Sequence, residues 1–255
     1  MPYSGGALHG EWTKLRTSPG TVWLLLGVVV ATVGVSGLTV ATLSCPAGSC
    51  AVDPTKLSLI GVQAGQAVVA ILAVLMIGGE YSTGLVHTSL AAVPRRPALL
   101  VAKAAVLTGV VLVAAALAVV ASLLIGGPVL TARGFTMPSL TDGTVLRAAG
   151  GSALYLVLIA LLSLGVATAV RNPASAIGVV LGLLYIFPIL AGAVTDPDWK
   201  RHLEQIGPMS AGLAVQATTH LDDLPIGPWK GLAVLAGWAV AALLGGGVLL
   251  QARDA

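Results

Sequence analysis

Long runs of apolar residues alternate with short polar connections along this chain, and six of the runs have the length of a membrane-spanning helix. A hydrocarbon core about 30 Å thick requires about 20 apolar residues in a helix that rises about 1.5 Å per residue. None of the runs shows the apolar–polar alternation of an outer-membrane β-strand. The pattern predicts an all-α integral membrane protein with six transmembrane helices, over Thr21–Leu43, Leu57–Ile77, Leu99–Ile125, Val145–Val170, Ala174–Val194 and Gly231–Leu250.

The amino-acid composition supports a lipid-facing surface. Of the 255 residues, 56% are hydrophobic and 9% are charged, and the mean hydropathy is +0.96. Soluble domains carry about 25% charged residues because their surface faces water. Residues 1–255 are therefore expected to form a single membrane domain. The first apolar run is too long for the core of a signal peptide and lacks a convincing cleavage site, so we expect it to be retained.

The basic residues bear on orientation and on partners. The net charge is +3, and the basic residues lie in short connections, so nucleic-acid binding is not expected. Six spans place both termini on the same side. Lys14 and Arg16 before the first run, with Arg95 and Arg96 before the third, favour a cytoplasmic position for both termini.

Two cysteines, Cys45 and Cys50, lie in the short connection after the first run. If this connection is outside the cytoplasm, an oxidising compartment permits a disulfide between them. Two unpaired cysteines near the membrane are the alternative. No cluster of histidines or carboxylates accompanies the pair, so a metal site is not expected.

Polar residues are rare inside the apolar runs. Arg147 is expected near the end of a span, where its long side chain can reach the interface, and Glu80, Lys103 and Arg171 are also expected at span ends. Ion-coupled transporters usually carry ionisable groups at membrane depth, so charge-free span centres disfavour that class. Gly61 and Gly65 have the spacing of a close helix contact. The other polar residues of note either hydrogen-bond between helices, which is the commoner role, or line a substrate path; they are Gln63, Gln66, Tyr155 and Tyr185.

Nothing in the sequence indicates catalysis by this chain. A membrane protease or transferase needs a nucleophile with its base, or a set of metal ligands, and the four histidines are scattered among a terminus and connections. No lysine follows a glycine as it does in a phosphate-binding loop. We therefore expect no enzyme activity and no cofactor in this chain, and ATP-driven work would need a second protein.

Two polar segments are more specific. Before the first run, Leu8, Trp12 and Leu15 fall on one face of a helix, so we expect an N-terminal interfacial helix in the headgroup plane. Between the second and third runs, the connection Glu80–Arg96 is too long for a tight turn. Its middle is expected to form a short helix that ends before Pro94, because the residue preceding a proline avoids the helical region.

These segments resemble the ABC-2-type permeases, the membrane subunits of type-2 ABC exporters, and in particular their actinobacterial branch. That branch commonly shows Glu-Trp-x-Lys-Leu-Arg before its first span. It also shows Glu-Tyr-x-x-Gly-x-x-x-Thr-x-Leu-x-x-x-Pro-Arg-Arg and a later lysine after its second. The first motif is matched at Glu11, Trp12, Lys14, Leu15 and Arg16. The second is matched at Glu80, Tyr81, Gly84, Thr88, Leu90, Pro94, Arg95, Arg96 and Lys103.

The resemblance implies a permease subunit that works with other chains. Tyr81–Val93 would form a cytoplasmic coupling helix that docks on a separate ATP-binding subunit, and that subunit would bind ATP and Mg²⁺. A second copy, or a homologous permease, would complete the transport unit. The loop Thr195–Trp229 would form outer re-entrant helices before the sixth span.

The implied function is the export of an amphiphilic molecule across the plasma membrane of a bacterium, with membrane lipid as a further partner. An antibiotic or drug, a peptide or a lipid-linked molecule would all be suitable cargoes. A stand-alone secondary transporter and a non-transport membrane scaffold are the alternatives. A flux driven by an ion gradient without any ATPase would favour the secondary transporter.

Overall fold

The described part of the chain consists of helices joined by turns, with no β-strand. The computed structural model describes residues 10, 13, 19–43, 52–83 and 96–252. Short 3₁₀ turns lie at Ala214–Gln216 and Leu221–Asp223. The helices are α1 (Pro19–Thr42), α2 (Pro54–Ser58), α3 (Val62–Thr83), α4 (Arg96–Ala132), α5 (Gly143–Val170), α6 (Pro173–Ala193), α7 (Pro197–Ile206), α8 (Pro208–Leu213) and α9 (Pro228–Ala252).

Six of these helices, α1, α3, α4, α5, α6 and α9, are long and apolar enough to cross a membrane. The prediction of an all-helical chain with six such helices is confirmed. Helix α4 contains 37 residues and is about 55 Å long, so it exceeds both the predicted span and a hydrocarbon core of about 30 Å. Helix α6 begins with a proline after Asn172, whose side chain accepts a hydrogen bond from the Ser175 N–H at 3.0 Å.

The second apolar run is interrupted near its start. The sequence predicted one helix from Leu57, but α2 ends at Ser58, a turn follows, and α3 begins at Val62. The backbone N–H of Gly61 donates to the hydroxyl of Ser36 in α1 at 3.0 Å, instead of to a carbonyl in its own helix. A Cβ at Gly61 would collide with the α1 backbone. The close contact with α1 therefore sets the start of α3.

Helix α5 lies at the centre of the bundle. It contacts α3, α4, α6 and α9. In its apolar stretch of 18 residues 67% of the residues are buried, against 22% in the corresponding stretches of α1, α6 and α9. Apolar side chains such as Val30, Ile189 and Leu244 remain exposed on the outer helices. Large exposed apolar surfaces of this kind are typical of lipid-facing helices, which indicates a multi-pass membrane protein.

The bundle has two ends, which we name after residues that lie there. At the Asp53 end, α3, α5 and α9 begin and α1, α4 and α6 end; the opposite end is the Pro173 end. At the Pro173 end, Arg171 closes α5 with a left-handed backbone (φ 63°) and donates its N–H to the Ala167 carbonyl at 2.9 Å. A Cβ at Gly78 of α3 would lie 2.7 Å from Cγ of Pro173. The last turns of α3 therefore lie against the turn between α5 and α6.

Candidate functional site

The segment of residues 207–219, between α6 and α9, enters the helix bundle; we call it the inserted segment. It comprises Gly207, α8, the following 3₁₀ turn and three further residues, and most of its side chains are buried. A Cβ at Gly212 would lie 2.7 Å from ring carbons of Tyr155 in α5. Tyr155 lies about 18 Å along α5 from its first residue, so the inserted segment reaches well below the Asp53 end.

A buried polar layer joins the inserted segment to three long helices. The side-chain amide nitrogen of Gln66 in α3 lies 3.2 Å from the hydroxyl of Tyr185 in α6 and 3.2 Å from the sulfur of Met209. The amide oxygen of Gln66 accepts a hydrogen bond from the hydroxyl of Tyr155. The hydroxyl of Tyr185 donates to the backbone carbonyl of Gln63 at 3.2 Å. Both polar atoms of the Gln66 amide are therefore occupied.

The structure brings together the polar residues that the sequence singled out, but in two different environments. Gln66 and Tyr155 are fully buried, and they bond across helices. Gln63 and Tyr185 are half-buried, on α3 and α6 respectively. Met209 also belongs to the layer although the sequence did not single it out, because a methionine within a loop pattern carries no signal for a partner 143 residues away.

A second group of hydrogen bonds holds the end of the inserted segment. The amide nitrogen of Gln216 donates to the hydroxyl of Ser152 at 3.1 Å and to the carbonyl of Leu59 at 3.4 Å. The guanidinium of Arg147, in the first turns of α5, donates to the Ala217 carbonyl at 2.5 Å. Arg147 lies near a helix end as predicted, but it is directed to the backbone of the inserted segment.

The last residues of the inserted segment are bound by Asp53, which caps the N-terminus of α2. Its carboxylate accepts hydrogen bonds from the backbone N–H and the hydroxyl of Thr218, the latter at 2.8 Å, and from the N–H of Thr219 at 3.1 Å. It also accepts from the N–H of Lys56 at 3.1 Å. We call this group of contacts the Asp53 clasp. The sequence Asp53-Pro54 indicates a helix start, but it does not reveal the distant threonines.

The environment of Asp53 changes its acidity. Partial burial of the carboxylate raises its pKa, and the hydrogen bonds from Thr218, Lys56 and Thr219 lower it by a larger amount in total. The net result is a pKa below the ordinary value of 3.8. The carboxylate is therefore charged at neutral pH, which is the form that accepts these hydrogen bonds most strongly.

Lys103 lies near the end of a spanning helix, as the sequence predicted, but its side chain is buried. It lies about 10 Å along α4 from the first residue of that helix, so it is near the Pro173 end. Its side chain, however, is only 1% exposed, which places it inside the protein instead of at the interface. Buried lysines are rare in membrane bundles and often belong to functional sites.

Several predicted residues fall outside the described part of the chain or at its borders. Glu80 and Tyr81 lie in the last turn of α3, and Arg96 is the first residue of α4. The other predicted coupling residues, the interfacial-helix residues and both cysteines lie outside the described residues, and their roles stay predictions; these are Gly84, Thr88, Leu90, Pro94, Arg95, Glu11, Trp12, Lys14, Leu15, Arg16, Cys45 and Cys50.

The described residues contain no group of three histidine, cysteine, aspartate or glutamate side chains that could hold a metal ion. The arrangement is suited to holding the inserted segment within the bundle by side-chain hydrogen bonds, at the polar layer and at the Asp53 clasp. No protein-family model matches this chain, and no curated protein matches it significantly.

Proposed function

We propose that this chain is the permease subunit of an ATP-driven exporter of the ABC-2 type, in the plasma membrane of a bacterium and with both termini in the cytoplasm. A separate subunit binds ATP and Mg²⁺ and drives the transport cycle. A second permease copy, or a homologous permease, forms the other half of the translocation path. The cargo is an amphiphilic molecule such as an antibiotic or drug, a peptide or a lipid-linked molecule.

The observation that carries this proposal is the motif from Glu80 to Lys103 between the second and third spanning helices. Helix α3 ends at Thr83 and α4 begins at Arg96, so the motif connects the two helices at the Pro173 end. The last turns of α3 also lie against the turn between α5 and α6. A force applied to the coupling segment would thus reach α3, α4 and the central helix α5.

The inserted segment adds support, because it lies where the resemblance implies outer re-entrant helices. It fills the Asp53 end of the bundle between the fifth and sixth spanning helices. In an exporter, such a segment would close the outer end of the path until the transport cycle moves it. ATP can drive that movement only by binding more tightly to one arrangement of the complex than to the other.

The residues of the polar layer divide into two with a structural role and two that would contact cargo. Gln66 and Tyr155 are buried and bonded to each other, so we assign them to holding the inserted segment. Gln63 and Tyr185 are half-buried on α3 and α6, so we assign them to the surface that a cargo would contact. This division separates structural effects of substitutions from effects on the choice of cargo.

The buried Lys103 favours a second candidate function. An ionisable side chain inside the bundle is a feature of ion-coupled transporters, in which such groups form the pathway of the ion. A stand-alone secondary transporter therefore remains the alternative, and a non-transport scaffold is a further one. The coupling motif, which a stand-alone transporter would not need, is the reason for preferring the exporter.

The test compares two pairs of neighbouring basic residues. Arg95 and Arg96 belong to the connection at the Pro173 end of the bundle, and Lys200 and Arg201 belong to α7, which follows the end of α6 at the Asp53 end. The tagged chain is purified from its native membrane in mild detergent, and the ATPase activity that co-purifies is measured per molecule of permease. We expect Arg95 and Arg96 to dock against acidic groups of the ATP-binding subunit. The variant Arg95→Glu/Arg96→Glu should lose this activity by about tenfold or more, because the new glutamates would be repelled by those acidic groups. Lys200→Glu/Arg201→Glu, on exposed positions of α7, is the matched control and should keep it.

A second variant tests the coupling segment itself. Replacing residues 81–93 with a Gly/Ser linker should abolish stimulation of the ATPase by cargo, while insertion of the chain and its thermal unfolding remain as in the wild type. Unchanged stimulation would contradict the coupling role. A folded preparation that contains no ATPase, together with a flux driven by an ion gradient in proteoliposomes, would establish the secondary transporter instead.

A further inference from the structure

Helix α7 (Pro197–Ile206) and the inserted segment together form a hairpin, residues 197–219, which we call the re-entrant hairpin. Helix α7 descends from the Asp53 end into the bundle, since a Cβ at Gly207, directly after it, would lie 2.7 Å from the Cβ of Phe187. Phe187 lies six residues, or about 9 Å, before the end of α6. The inserted segment then returns to the Asp53 end. The re-entrant hairpin contacts both α6 and α9 and separates these two spanning helices.

Hydrogen bonds attach the re-entrant hairpin to its neighbours on every side except that of α6. The indole of Trp238 in α9 donates to the Ile206 carbonyl at 2.9 Å, and the side-chain amide of Gln205 donates to the Pro225 carbonyl at 2.7 Å. The inserted segment adds the bonds to α3, to α5 and to the start of α2 that are described above. Among the described residues, no hydrogen bond joins α6 to the hairpin. The two are therefore held together by packing and by the connection 194–196.

Helix α6 is firmly attached only up to Tyr185. The hydroxyl of that tyrosine bonds to α3, at the Gln66 amide and at the Gln63 carbonyl. The fully buried residues of α6 are Ala176, Val180, Leu184 and Ala191. A single one of them, Ala191, follows Tyr185, and the neighbouring Ile189 and Leu190 are exposed. A segment with so few buried contacts opens at a low cost in free energy.

A proline lies between the attached and the loosely held part of α6. Pro188 has no N–H, so the carbonyl of Leu184 loses its helical hydrogen bond and the helix can bend there. Phe187, the residue before it, meets the ring of Trp238 edge to face, with the ring centroids 6.2 Å apart. Its Cβ faces Gly207 of the re-entrant hairpin. The bend in α6 thus lies at the contact between α6 and the hairpin.

We propose that residues 187–193, which we call the α6 flap, swing away from the re-entrant hairpin about Pro188, while the hairpin stays with α5 and α9. The connection 194–196 joins the end of the flap to α7. It limits the movement of this end to about 10 Å, the length of three extended residues. The Phe187–Trp238 contact is broken when the flap opens, whereas the hydrogen bonds of the hairpin stay intact.

The open flap would create a cleft between the lipid and the polar layer. Met209 lies directly behind α6, because its sulfur and the hydroxyl of Tyr185 both contact the amide nitrogen of Gln66. The exposed side chains of Ile186 and Ile206 lie on the two sides of the contact, so the cleft opens towards lipid. An amphiphilic cargo would leave through it with its polar part at the polar layer and its apolar part in the bilayer. This exit role rests on the proposed export function, whereas the hinge does not.

The experiment measures how fast lipid reaches position 209 in the full chain, alone in nanodiscs of phosphatidylcholine. Cys45 and Cys50 are replaced by serine, and Met209→Cys supplies a single thiol. The probe is a phosphatidylcholine that carries a maleimide on an acyl chain, and its attachment is followed over time by mass spectrometry of the intact chain. Val215→Cys, buried where the hairpin lies against α5, and Leu244→Cys, exposed on α9, are the two controls.

The thiol at position 209 should react more slowly than the one at 244 and clearly faster than the one at 215. Reaction at 209 as slow as at 215 would overturn the proposal, because the flap would then stay closed. Equally fast reaction at 209 and 215 would overturn it in favour of a hairpin that leaves the bundle as a whole. Thermal unfolding of each variant shows that the chain is folded.

The variant Pro188→Ala tests the hinge. It restores the N–H that the Leu184 carbonyl lacks, so the closed flap gains a hydrogen bond and reaction at position 209 should slow about threefold to tenfold. Pro128→Ala, at the proline inside α4, is the matched control and should leave the rate unchanged. An equal rate in the chain with and without Pro188 would overturn the assignment of the hinge.

A distance measurement leaves Met209 and the polar layer intact. Nitroxides at Gly192 and Val240 report on the flap and α9, and nitroxides at His202 and Val240 report on the hairpin and α9; all three positions are exposed. The first pair should show a second, longer distance that disappears in Pro188→Ala, and the second pair should show one distance only. A single distance for both pairs, or two for both, would contradict the proposal.

The exit role is tested with the co-purifying ATPase bound. Addition of ATP should then speed the reaction of the maleimide lipid at position 209 and leave that at position 215 unchanged. A rate at 209 that ATP does not change would overturn the exit role of the cleft. The co-purification of an ATPase tests the export function separately, and the hinge is decided by the chain alone.

Discussion

The carboxylate of Asp53 binds Thr218, 165 residues later in the chain, through both the backbone N–H and the hydroxyl of that threonine. These two residues join the connection before α2 to the end of the inserted segment. Gln216 and the carbonyl of Ala217 are also bonded to the bundle. Four consecutive residues, 216–219, are thus held by side-chain hydrogen bonds, which makes this the most firmly attached part of the inserted segment.

Removing the carboxylate of Asp53 should destabilise the protein. Asp53→Ala leaves the N–H groups of Thr218 and Thr219 without their acceptor and removes the cap of α2, so we expect a loss of about 2–3 kcal/mol. The measurement is thermal unfolding in detergent. Asp222→Ala, at an exposed position near the same end, is the control and should change stability by no more than about 0.5 kcal/mol. Equal effects of the two substitutions would contradict the clasp.

The contribution of the clasp should depend on pH in a defined direction. The pKa of Asp53 is lowered in the folded protein from an ordinary value of 3.8. Its charged form therefore stabilises the fold above that value, and the stabilisation is lost as the pH falls through the lowered pKa. Wild type should unfold at a higher temperature than Asp53→Asn at pH 7, because the asparagine amide accepts without charge. The difference should shrink below about pH 4, and a difference that stays constant down to pH 3 would exclude this origin.

The sequence predicted the long helices well because hydropathy and length are local properties. It missed the break before Val62 because Leu57–Ile77 contains no proline and no charged residue that would mark one. The break depends instead on the contact between Gly61 and Ser36 of another helix. A boundary set by tertiary contact leaves no mark in a hydropathy profile.

The candidate site was predictable in part for the same reason. Gln66 and Tyr155 are noticeable because polar side chains are costly in an apolar helix, and the sequence thus indicates that each needs a partner. It does not indicate which partner. The sequence did not indicate the roles of Asp53, Met209 and Gln216, because polar residues are common in loops and methionine is common in a core. Each of the three nevertheless bonds to a residue far along the chain.

Gln66 and Tyr155 should be energetically coupled. Gln66→Leu and Tyr155→Phe each leave one buried group without its partner, whereas the double variant removes both groups and should lose less stability than the sum. Hydrogen bonds between membrane helices contribute about 0.6 kcal/mol on average and up to about 1.7 kcal/mol, so we expect a coupling energy in that range. It is measured as a double-mutant cycle from reversible unfolding in mixed micelles.

The control cycle combines Gln66→Leu with Ser163→Ala. The hydroxyl of Ser163 donates to the Ile159 carbonyl of its own helix at 2.7 Å and lies about 12 Å further along α5 than Tyr155. These two changes should add to within about 0.5 kcal/mol. A coupling between Gln66 and Tyr155 no larger than that of the control pair would show that their contact does not hold the helices together.

Gly212 should tolerate no side chain, because α8 lies against the ring of Tyr155 in α5 there. A Cβ at this position would lie 2.7 Å from ring carbons of Tyr155 and 3.0 Å from a methyl carbon of Leu235. The tyrosine ring is held by its bond to Gln66, so Gly212→Ala should push α8 away from α5 and cost about 1–3 kcal/mol. Gly237→Ala is the matched control, since nothing described lies within 4 Å of its Cβ position in α9.

The control should keep or raise the unfolding temperature, because alanine is favoured over glycine inside a helix by about 0.5–1 kcal/mol. The two substitutions add the same methyl group and differ only in what it meets. Equal tolerance at both positions would mean that α8 can move away from Tyr155 at little cost, and the inserted segment would then be held by the Asp53 clasp and not by packing against α5. The double variant Gly212→Ala/Asp53→Ala would decide between these two explanations. If packing against α5 contributes independently of the clasp, the double variant should lose as much stability as the two single variants together.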